Sequence, residues 1–414
     1  MRIFVGCVEI CGLVTLYANE LKRQGHQVTT CANTKHRFFP DHHYDLLSDR
    51  WADYVLGRDT DVPFGTPNSL LNQAALKLRV TTPLFDGLVT KRIFAEHDVF
   101  IFIWAGWYLM RHGKDLEVLK KMGKKVVSIC VGSDVRYPQA FEQEFGLPVK
   151  DWPAVYQQPF AHYLRLLRQV ELHSDLIYSL PDQAGLAIRP YDHFPIPLEL
   201  DQYSFHYPDR DVPVIVHAPS APAIKGTDVI LGVFDRLRSE GIAFDLRFIQ
   251  NMPNKELRAL LRDSDLLVDE LILHGPGILS VEGMLTGNAV ATRYYGGSPG
   301  FFRPPVCPID HDNLYDVVKR MIVDKEFRRE RAYAGRAWAE QHNDVGRITS
   351  GILTQLQEGA TACPYQPLFF RDHFVLPKGE TASNTDKRLT RAVAEKWMPD
   401  FAQHKKSLEA RGLI

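Results

Sequence analysis

Two stretches of the chain bring together residue types suited to anion chemistry. The first runs from Leu266 to Gly287: an apolar strand-like run, the turn His274-Gly275-Pro276-Gly277, then a helical segment carrying Glu282. Gly275 and Gly277 let a ligand approach the backbone closely. Free amides at Ile278, Leu279 and Ser280 would point into such a turn, where the helix dipole favours negative charge. Glu282, one turn further in, could accept hydrogen bonds from both hydroxyls of a ribose. The arrangement suits a nucleotide phosphate, with an ordinary tight strand-to-helix turn as the alternative. The second stretch, His217 to Asp228, again lies between a strand and a helix. Thr227 is a natural helix N-cap. Lys225 precedes it, so its ammonium and the helix start could converge on a diphosphate; a surface lysine beside a cap is the plainer reading.

Each stretch needs a buried strand behind it, and hydropathy supplies one. A short apolar run at Ile3–Val8, a turn at Glu9–Gly12, a helical stretch at Val14–Gln24 closed by Gly25 and a strand at Gln27–Cys31 make one β-α-β unit. Val99–Trp104, Lys125–Val131 and Asp175–Leu180 are near-continuous apolar runs of the kind found in parallel sheets. Thr34–Phe64 and Pro138–Pro159 read as loop or insertion. A zone with Pro195, Pro197, Pro208 and Pro213 reads as an inter-domain linker. Alternation then restarts with strands at Val214–His217, Leu246–Gln250, Leu266–Leu271 and Ala289–Thr292. Helices are expected at Thr227–Glu240, Lys255–Arg262, Ser280–Leu285, Asn313–Val323 and Glu326–His342. The expected fold class is α/β with two Rossmann-like domains, 1–200 and 201–357, followed by an extension at 358–414 whose helix packs back on the body.

Composition excludes several functions. The 414 residues suit two or three domains at about 150 each. Lys plus Arg number 49 against 50 Asp plus Glu, so there is no basic surplus to drive nucleic-acid binding. The six cysteines form no Cys-x2-Cys pair, which suits reduced thiols in a cytoplasmic setting. The longest uncharged apolar stretch, Val99–Met110, is twelve residues, too short to span a bilayer as a helix. Contact with the inner face of a membrane would be peripheral. From Lys378 onward there are eight Lys or Arg against five Asp or Glu, which reads as a solvated helix rather than a membrane or partner patch.

Competing motifs fail on chemistry. Gly296-Gly-Ser-Pro-Gly300 fits the spacing of a hydrolase nucleophile elbow, but Pro299 has no N–H for an oxyanion and Phe301-Phe-Arg-Pro-Pro305 breaks any following helix. Asp-x-Asp triplets at Asp59/Asp61, Asp209/Asp211, Asp263/Asp265 and Asp310/Asp312 could hold a divalent ion on a sugar diphosphate, yet none ends a first-domain strand cleanly. His42-His43 with Asp45 reads as a polar loop rather than a metal cluster. The aromatics of Phe102–Tyr108 read as core and cleft wall.

Taken together, the two anion-suited stretches resemble the nucleotide-binding half of glycosyltransferase family 4, the group 1 glycosyltransferases of GT-B fold. Lys225-Gly226, His274-Gly275-Pro276-Gly277, Glu282-Gly283-Met284 and Gly296-Gly297-Ser298-Pro299 stand where that family has a Lys-Gly pair, Glu-Gly-Phe-Gly, a second Glu and a Gly-Gly-x-Pro turn. Residues 213–357 carry the likeness well. The first 200 carry it loosely, through the strand order and Gly132-Ser-Asp-Val-Arg136. Three departures stand out: His274 replaces the family's first glutamate, Ser220 stands where an arginine is usual, and the glycine-rich acceptor turn is reduced to Gly12. The resemblance implies metal-independent, retaining transfer from a nucleoside diphosphate-sugar, itself a co-substrate rather than a cofactor, to a glycan, lipid-linked or protein acceptor. Lys225 and the amides at Gly277, Ile278 and Leu279 would stabilise the diphosphate, Glu282 would hold the ribose, His274 would hydrogen-bond the sugar, and Ser220 and Gly275 would also belong to the donor site. Gly12, Asp134 and Arg136 would form the acceptor side, with Lys225, His274 and Asp134 closest to the chemistry; a local salt bridge between Asp134 and Arg136 is the alternative for that pair. A sugar-nucleotide epimerase and a non-catalytic partner subunit that kept the fold are the alternatives for the whole chain.

Overall fold

The computed structural model describes residues 1–32, 41–47, 83–105, 109, 114–146, 158–294, 302–359 and 364–414. The first half alternates β1 (Arg2–Cys7), α1 (Leu13–Arg23), β2 (Gln27–Ala32), β3 (Leu46–Leu47), α2 (Pro83–Glu96), β4 (Val99–Ile103), α3 (Lys114–Lys121) and β5 (Lys125–Ile129). It continues through α4 (Pro138–Phe145), α5 (Phe160–His173), β6 (Leu176–Ser179) and β7 (Tyr191–His193). The second half holds β8 (Val214–His217), α6 (Pro222–Lys225), α7 (Thr227–Ser239), β9 (Asp245–Phe248), α8 (Asn254–Arg262), β10 (Leu266–Val268), α9 (Ile278–Thr286), β11 (Ala289–Thr292), β12 (Cys307–Pro308), α10 (Leu314–Val323) and α11 (Lys325–His342). After it come α12 (Val345–Glu358), β13 (Pro364–Tyr365), α13 (Phe369–Asp372), α14 (Asn384–Trp397) and α15 (Phe401–Ala410).

The strands form two sheets. The first has the order β13-β7-β6-β5-β4-β1-β2-β3 and the second β12-β11-β10-β8-β9. Every pairing is parallel except β13 on β7. Residues Ile3–Cys7 and all of β4 are buried, which is why these strands are continuous apolar runs rather than alternating ones. In each sheet the first strand of the half sits between the second and a later one, β1 between β2 and β4, β8 between β9 and β10. That reversal opens a crevice beyond the strands' carboxyl ends, where ligands of such sheets bind.

Three apolar clusters hold this together. One side of the first sheet packs Phe4, Phe100, Phe102 and Val126 against α5 and the C-terminal helices, through Tyr163, Val393 and Leu408. One side of the second sheet packs Ile215, Leu266 and Ala289 against α7 and α10. The remaining sides merge into a single cluster: Val5, Val14 and Ile101 from the first lobe join Val216, Leu267 and Val281 from the second. The bridge is made by Phe194, Ile196, Leu198 and Tyr203, and by Ile348 and Ile352 of α12. The proline-rich zone read as a linker is therefore packed core along its first part. Its prolines end the strand pattern without freeing the chain from the body.

The chain crosses between lobes twice, and the crossings touch. Leu198 N donates to Asn343 O at 2.8 Å, Val345 N donates to Leu198 O at 3.0 Å, and Asn343 Nδ2 donates to Ile196 O at 2.9 Å. After the second crossing α12 lies on α1, and Gln24 Nε2 donates to Gly346 O at 3.3 Å and Ser350 Oγ at 3.1 Å. The C-terminal segment packs on the same lobe, with Arg165 bonded to Asp386 at 3.0 Å and the Arg189 guanidinium 3.9 Å from the Trp397 ring centroid. The stretch Pro138–Pro159 is not all loop. It opens as α4, with Ala140 and Phe141 buried and Pro138 in the first turn, where its missing N–H costs nothing. Of Thr34–Phe64 only 41–47 are described, and they contain β3.

Candidate functional site

Residues at the carboxyl ends of β8 and β10 form one hydrogen-bonded unit. Lys225 ends α6, and its Nζ lies 2.9 Å from Asp269 Oδ1 and 3.1 Å from Glu270 Oε2, the two residues that follow β10. Leu271 N donates to Lys225 O at 3.1 Å, so backbone and side chain both tie α6 to this strand end. Ser280 Oγ, in the first turn of α9, donates to Asp269 Oδ2 at 2.6 Å. Burial works against the Lys225 ammonium, but the two carboxylates outweigh it and hold its pKa above the ordinary lysine value. Asp269, though buried, is kept below the usual carboxylate range by Lys225 and Ser280. Burial and the Asp269 charge push Glu270 up.

This arrangement sets two carboxylates at the expected anion slot. A Cβ on Gly277, the N-cap of α9, would stand 3.8 Å from Glu270 Oε2 and 3.9 Å from Asp269 Oδ2. The protein's own carboxylates thus stand close to the turn where Lys225 and the amides of Ile278 and Leu279 are expected to meet a diphosphate. Gly275 is glycine for a packing reason: a Cβ there would fall 2.3 Å from Thr292 Oγ1. Thr227 is not the cap of α7. Gly226 takes that place with φ 72°, while Thr227 Oγ1 is 3.0 Å from Nε2 of the fully buried His217, whose Nδ1 meets Val268 O at 2.8 Å. Ser220 is exposed just before α6.

Glu282 is buried in α9. Tyr203 Oη and Asn254 Nδ2 both donate to its Oε1, each at 2.9 Å. Burial raises its pKa, with these two neutral donors opposing. His274 is buried too, its ring 5.1 Å from that of Tyr294. Its pKa is lowered by burial and by the Arg136 and Arg293 charges, with Asp182 opposing.

The first lobe faces this unit with two loops. Beyond β1, Cys11 (φ 53°) and Gly12 (φ 82°) make a left-handed turn into α1. Burial pushes the Cys11 thiol up to about 12; the Glu282 and Glu9 charges add to this, and Lys225 opposes. Cys11 therefore sits among groups of both lobes. Beyond β5, Arg136 pairs with Asp182 through Nε at 3.0 Å and Nη2 at 2.7 Å, and its charge acts on both Glu270 and His274 across the cleft. Asp134 makes no salt bridge with Arg136, which pairs with Asp182 instead. The Asp134 carboxylate accepts from the backbone amides of Ala105 at 2.9 Å and Gly132 at 2.8 Å, and more weakly from Val131. It pins the β4 and β5 loops together and is spent on that task.

The cleft thus gathers Lys225, Glu282, His274, Gly277, Gly12 and Arg136, while the Asp134 carboxylate is held by backbone amides of the first lobe. Sequence reasoning passed over Asp269, Glu270, Asp182, Tyr203 and Asn254. Asp269 and Glu270 lay inside the stretch that drew attention, at a strand's carboxyl end, where buried acids bear on chemistry. Tyr203 and Asn254 left no such signal. The Gly296–Pro299 turn, Asp59/Asp61 and Trp107–Tyr108 lie outside the described residues. Among the described residues no group of three or more His, Cys, Asp or Glu is placed to hold a metal, and no helix is long and apolar enough to cross a membrane.

No family model matches the chain, and no curated protein is similar to it in sequence. Solved structures are similar in fold. Sucrose-phosphate synthase of Thermosynechococcus elongatus superposes with a TM-score of 0.57 at 11% identity, covering 87% of this chain and 99% of that one. Anabaena HepE in complex with UDP-glucose gives 0.52 at 16% identity over 86% and 99%. The trehalose-6-phosphate synthase OtsA gives 0.51 at 12% identity over 88% and 100%. These neighbours are GT-B glycosyltransferases, and the fold of this chain is GT-B: two Rossmann-like lobes facing across a cleft.

Proposed function

We propose that the protein moves a glycosyl group from a nucleoside diphosphate-sugar on the second lobe to an acceptor hydroxyl on the first. In this reading it does so with retention of anomeric configuration, as a member of glycosyltransferase family 4. Residues 1–200 carry the acceptor side and 201 to the crossing at Asn343–Val345 the donor side, with α12 and 358–414 completing the first lobe. The observation that carries the reading is that Lys225 and Glu282, at the strand ends of the second lobe, lie near enough to the turn at Cys11 and Gly12 of the first lobe for their charges to act on the Cys11 thiol. Donor and acceptor groups would meet there in a site shielded from water.

The chemistry follows from charge. As the anomeric bond breaks, negative charge builds on the diphosphate, and a preorganised cation with aimed amides stabilises it. Lys225 supplies the cation and Gly277, Ile278 and Leu279 the amides. Glu282 retains Oε2 for the ribose hydroxyls while Tyr203 and Asn254 steady Oε1. Neutral His274 offers the sugar a hydrogen bond where the family has a carboxylate. Arg136, opposite His274, orients acceptor or phosphate. The HepE complex makes UDP-sugars the first donors to try.

One observation favours a second reading. Lys225 is already neutralised by Asp269 and Glu270, and both carboxylates would repel a diphosphate at the start of α9. A partner subunit that kept the fold and lost turnover would tolerate this. Thermal unfolding against nucleoside diphosphates and their sugars separates the two. A ligand at a hundred times its Kd adds about 2.7 kcal/mol to the native state. Stabilisation by one nucleotide that Glu282→Ala abolishes, followed by sugar transfer in a turnover assay, supports the transferase. Absence of any stabilisation across the panel would sink it.

A further inference from the structure

A cavity of about 510 Å³ lies on the second lobe at the edge of its sheet, beside β12 rather than at the crevice between β8 and β10. Among the described residues it is lined by Tyr294, Arg303, Arg331 and a wall from Pro304 to Val306 with Pro308. Two guanidinium groups and a phenol face it, and among the described residues no carboxylate lines it. Three prolines fix the backbone of the wall, so the cavity's shape is set before anything enters it.

The polar groups around it are short of partners. Tyr294 Oη and Arg331 Nε are both buried without a hydrogen bond. Arg331 makes one long ion pair, 3.9 Å to the largely exposed Glu330, and Arg303 makes no ion pair among the described residues. Buried donors left unpaired are costly, and two arginines whose charge is at most weakly offset by acids are a usual means of recognising phosphate oxygens in pairs. The volume lies within the range of small-molecule sites and exceeds what a bare ion needs.

We infer that this cavity binds the phosphate group of a small phosphorylated metabolite, held by Arg303, Arg331 and the Tyr294 hydroxyl. The site is separate from the donor cleft, and the inference does not depend on the proposed transferase activity. The two regions share Tyr294, whose ring packs on His274.

Calorimetric titration of the full chain with glucose 6-phosphate, inorganic phosphate and glucose tests the inference. Arg303 is exposed, so Arg303→Gln leaves the fold intact, which circular dichroism would verify. Glucose 6-phosphate should bind the wild type and bind Arg303→Gln and Tyr294→Phe at least tenfold more weakly, while glucose should not bind. Inorganic phosphate binding as tightly as the ester would assign the free ion as occupant; weaker binding would assign the ester. No binding at millimolar concentration, equal affinity in Arg303→Gln, or equal binding of glucose would each overturn the site.

Discussion

The ammonium of Lys225 lies 2.9 Å from Oδ1 of Asp269, and the other oxygen of that carboxylate takes the Ser280 hydroxyl at 2.6 Å. Three elements of the second lobe, α6, β10 and α9, are pinned at one point by this pair. Any anion entering the cleft must share the ammonium with acids already there.

Lys225→Ala should therefore do more than remove a ligand contact. It leaves Asp269 and Glu270 buried with no counter-charge, and breaking a buried pair on one side costs about 3 to 5 kcal/mol. Urea unfolding should show a loss of this order, with Asp269→Asn in the Lys225→Ala background recovering part of it. A loss under about 1 kcal/mol would mean that the acids are free to take up protons or solvent.

Glu282→Gln keeps an oxygen for Tyr203 and Asn254 but loses the anionic acceptor. Because burial raises the native pKa of Glu282, the folded state binds its proton more readily than the unfolded state. Its cost to stability is absent at low pH and grows as pH rises through the carboxylate range. The variant should match the wild type near pH 4 and become relatively more stable toward pH 7, while nucleotide-induced stabilisation falls. A constant difference across pH would contradict the buried carboxylate.

The junction between lobes should be acid-sensitive. His193 lies between Phe302, at 4.6 Å between ring centroids, and Tyr365, whose hydroxyl is 3.2 Å from Nδ1. Its pKa is lowered from 6.5 to about 4 by burial and by the His274 and His342 charges. A depressed histidine contributes stability above its unfolded pKa and loses it as pH falls toward the folded one. Between pH 6.5 and about 4 the urea midpoint should drop, by up to roughly 1.4 kcal/mol per pH unit for such a group. His193→Gln should flatten that slope; an unchanged slope refutes the assignment.

Asp134→Ala should destabilise without touching the donor side. It strands the amides of Ala105 and Gly132, each costing about 1 to 3 kcal/mol. Thermal unfolding should show the loss, and nucleotide binding at equal folded concentration should be unchanged. A selective loss of turnover with normal stability would restore the catalytic role the sequence suggested for Asp134.

These outcomes divide along the line between what a sequence shows locally and what only packing decides. β1, β4, β5, β8 and β11 were legible because both faces of each are buried, which forces unbroken apolar runs. α1 and α7 were legible from their 3.6-residue stripe. β7, β12 and β13 are two or three residues long, and their pairing is set by neighbours rather than by pattern. α4 lay hidden at the start of a stretch read as loop, with Pro138 as its first residue and Gly146 as its cap. In the cleft, Glu282 and Lys225 stood out by motif. The partner of Lys225 lies 44 positions away, a distance no local window contains. Thr227 was drawn from its capping role by His217, ten positions back in the same stretch, a contact that only the folding of the intervening turn and α6 sets up.

The paired crossings at Leu198 and Asn343–Val345 have a further consequence for how the molecule can be taken apart. The chain leaves the first lobe and re-enters it at the same spot, so the second lobe is an insertion whose two ends lie side by side. Such a unit can be excised, or exchanged for another of its kind, with a short splice closing the host behind it. The C-terminal helices would still find their places on the first lobe, where they pack on Phe4, Phe100 and Tyr163, whereas α12 would lose the part of its apolar seat that the second lobe supplies.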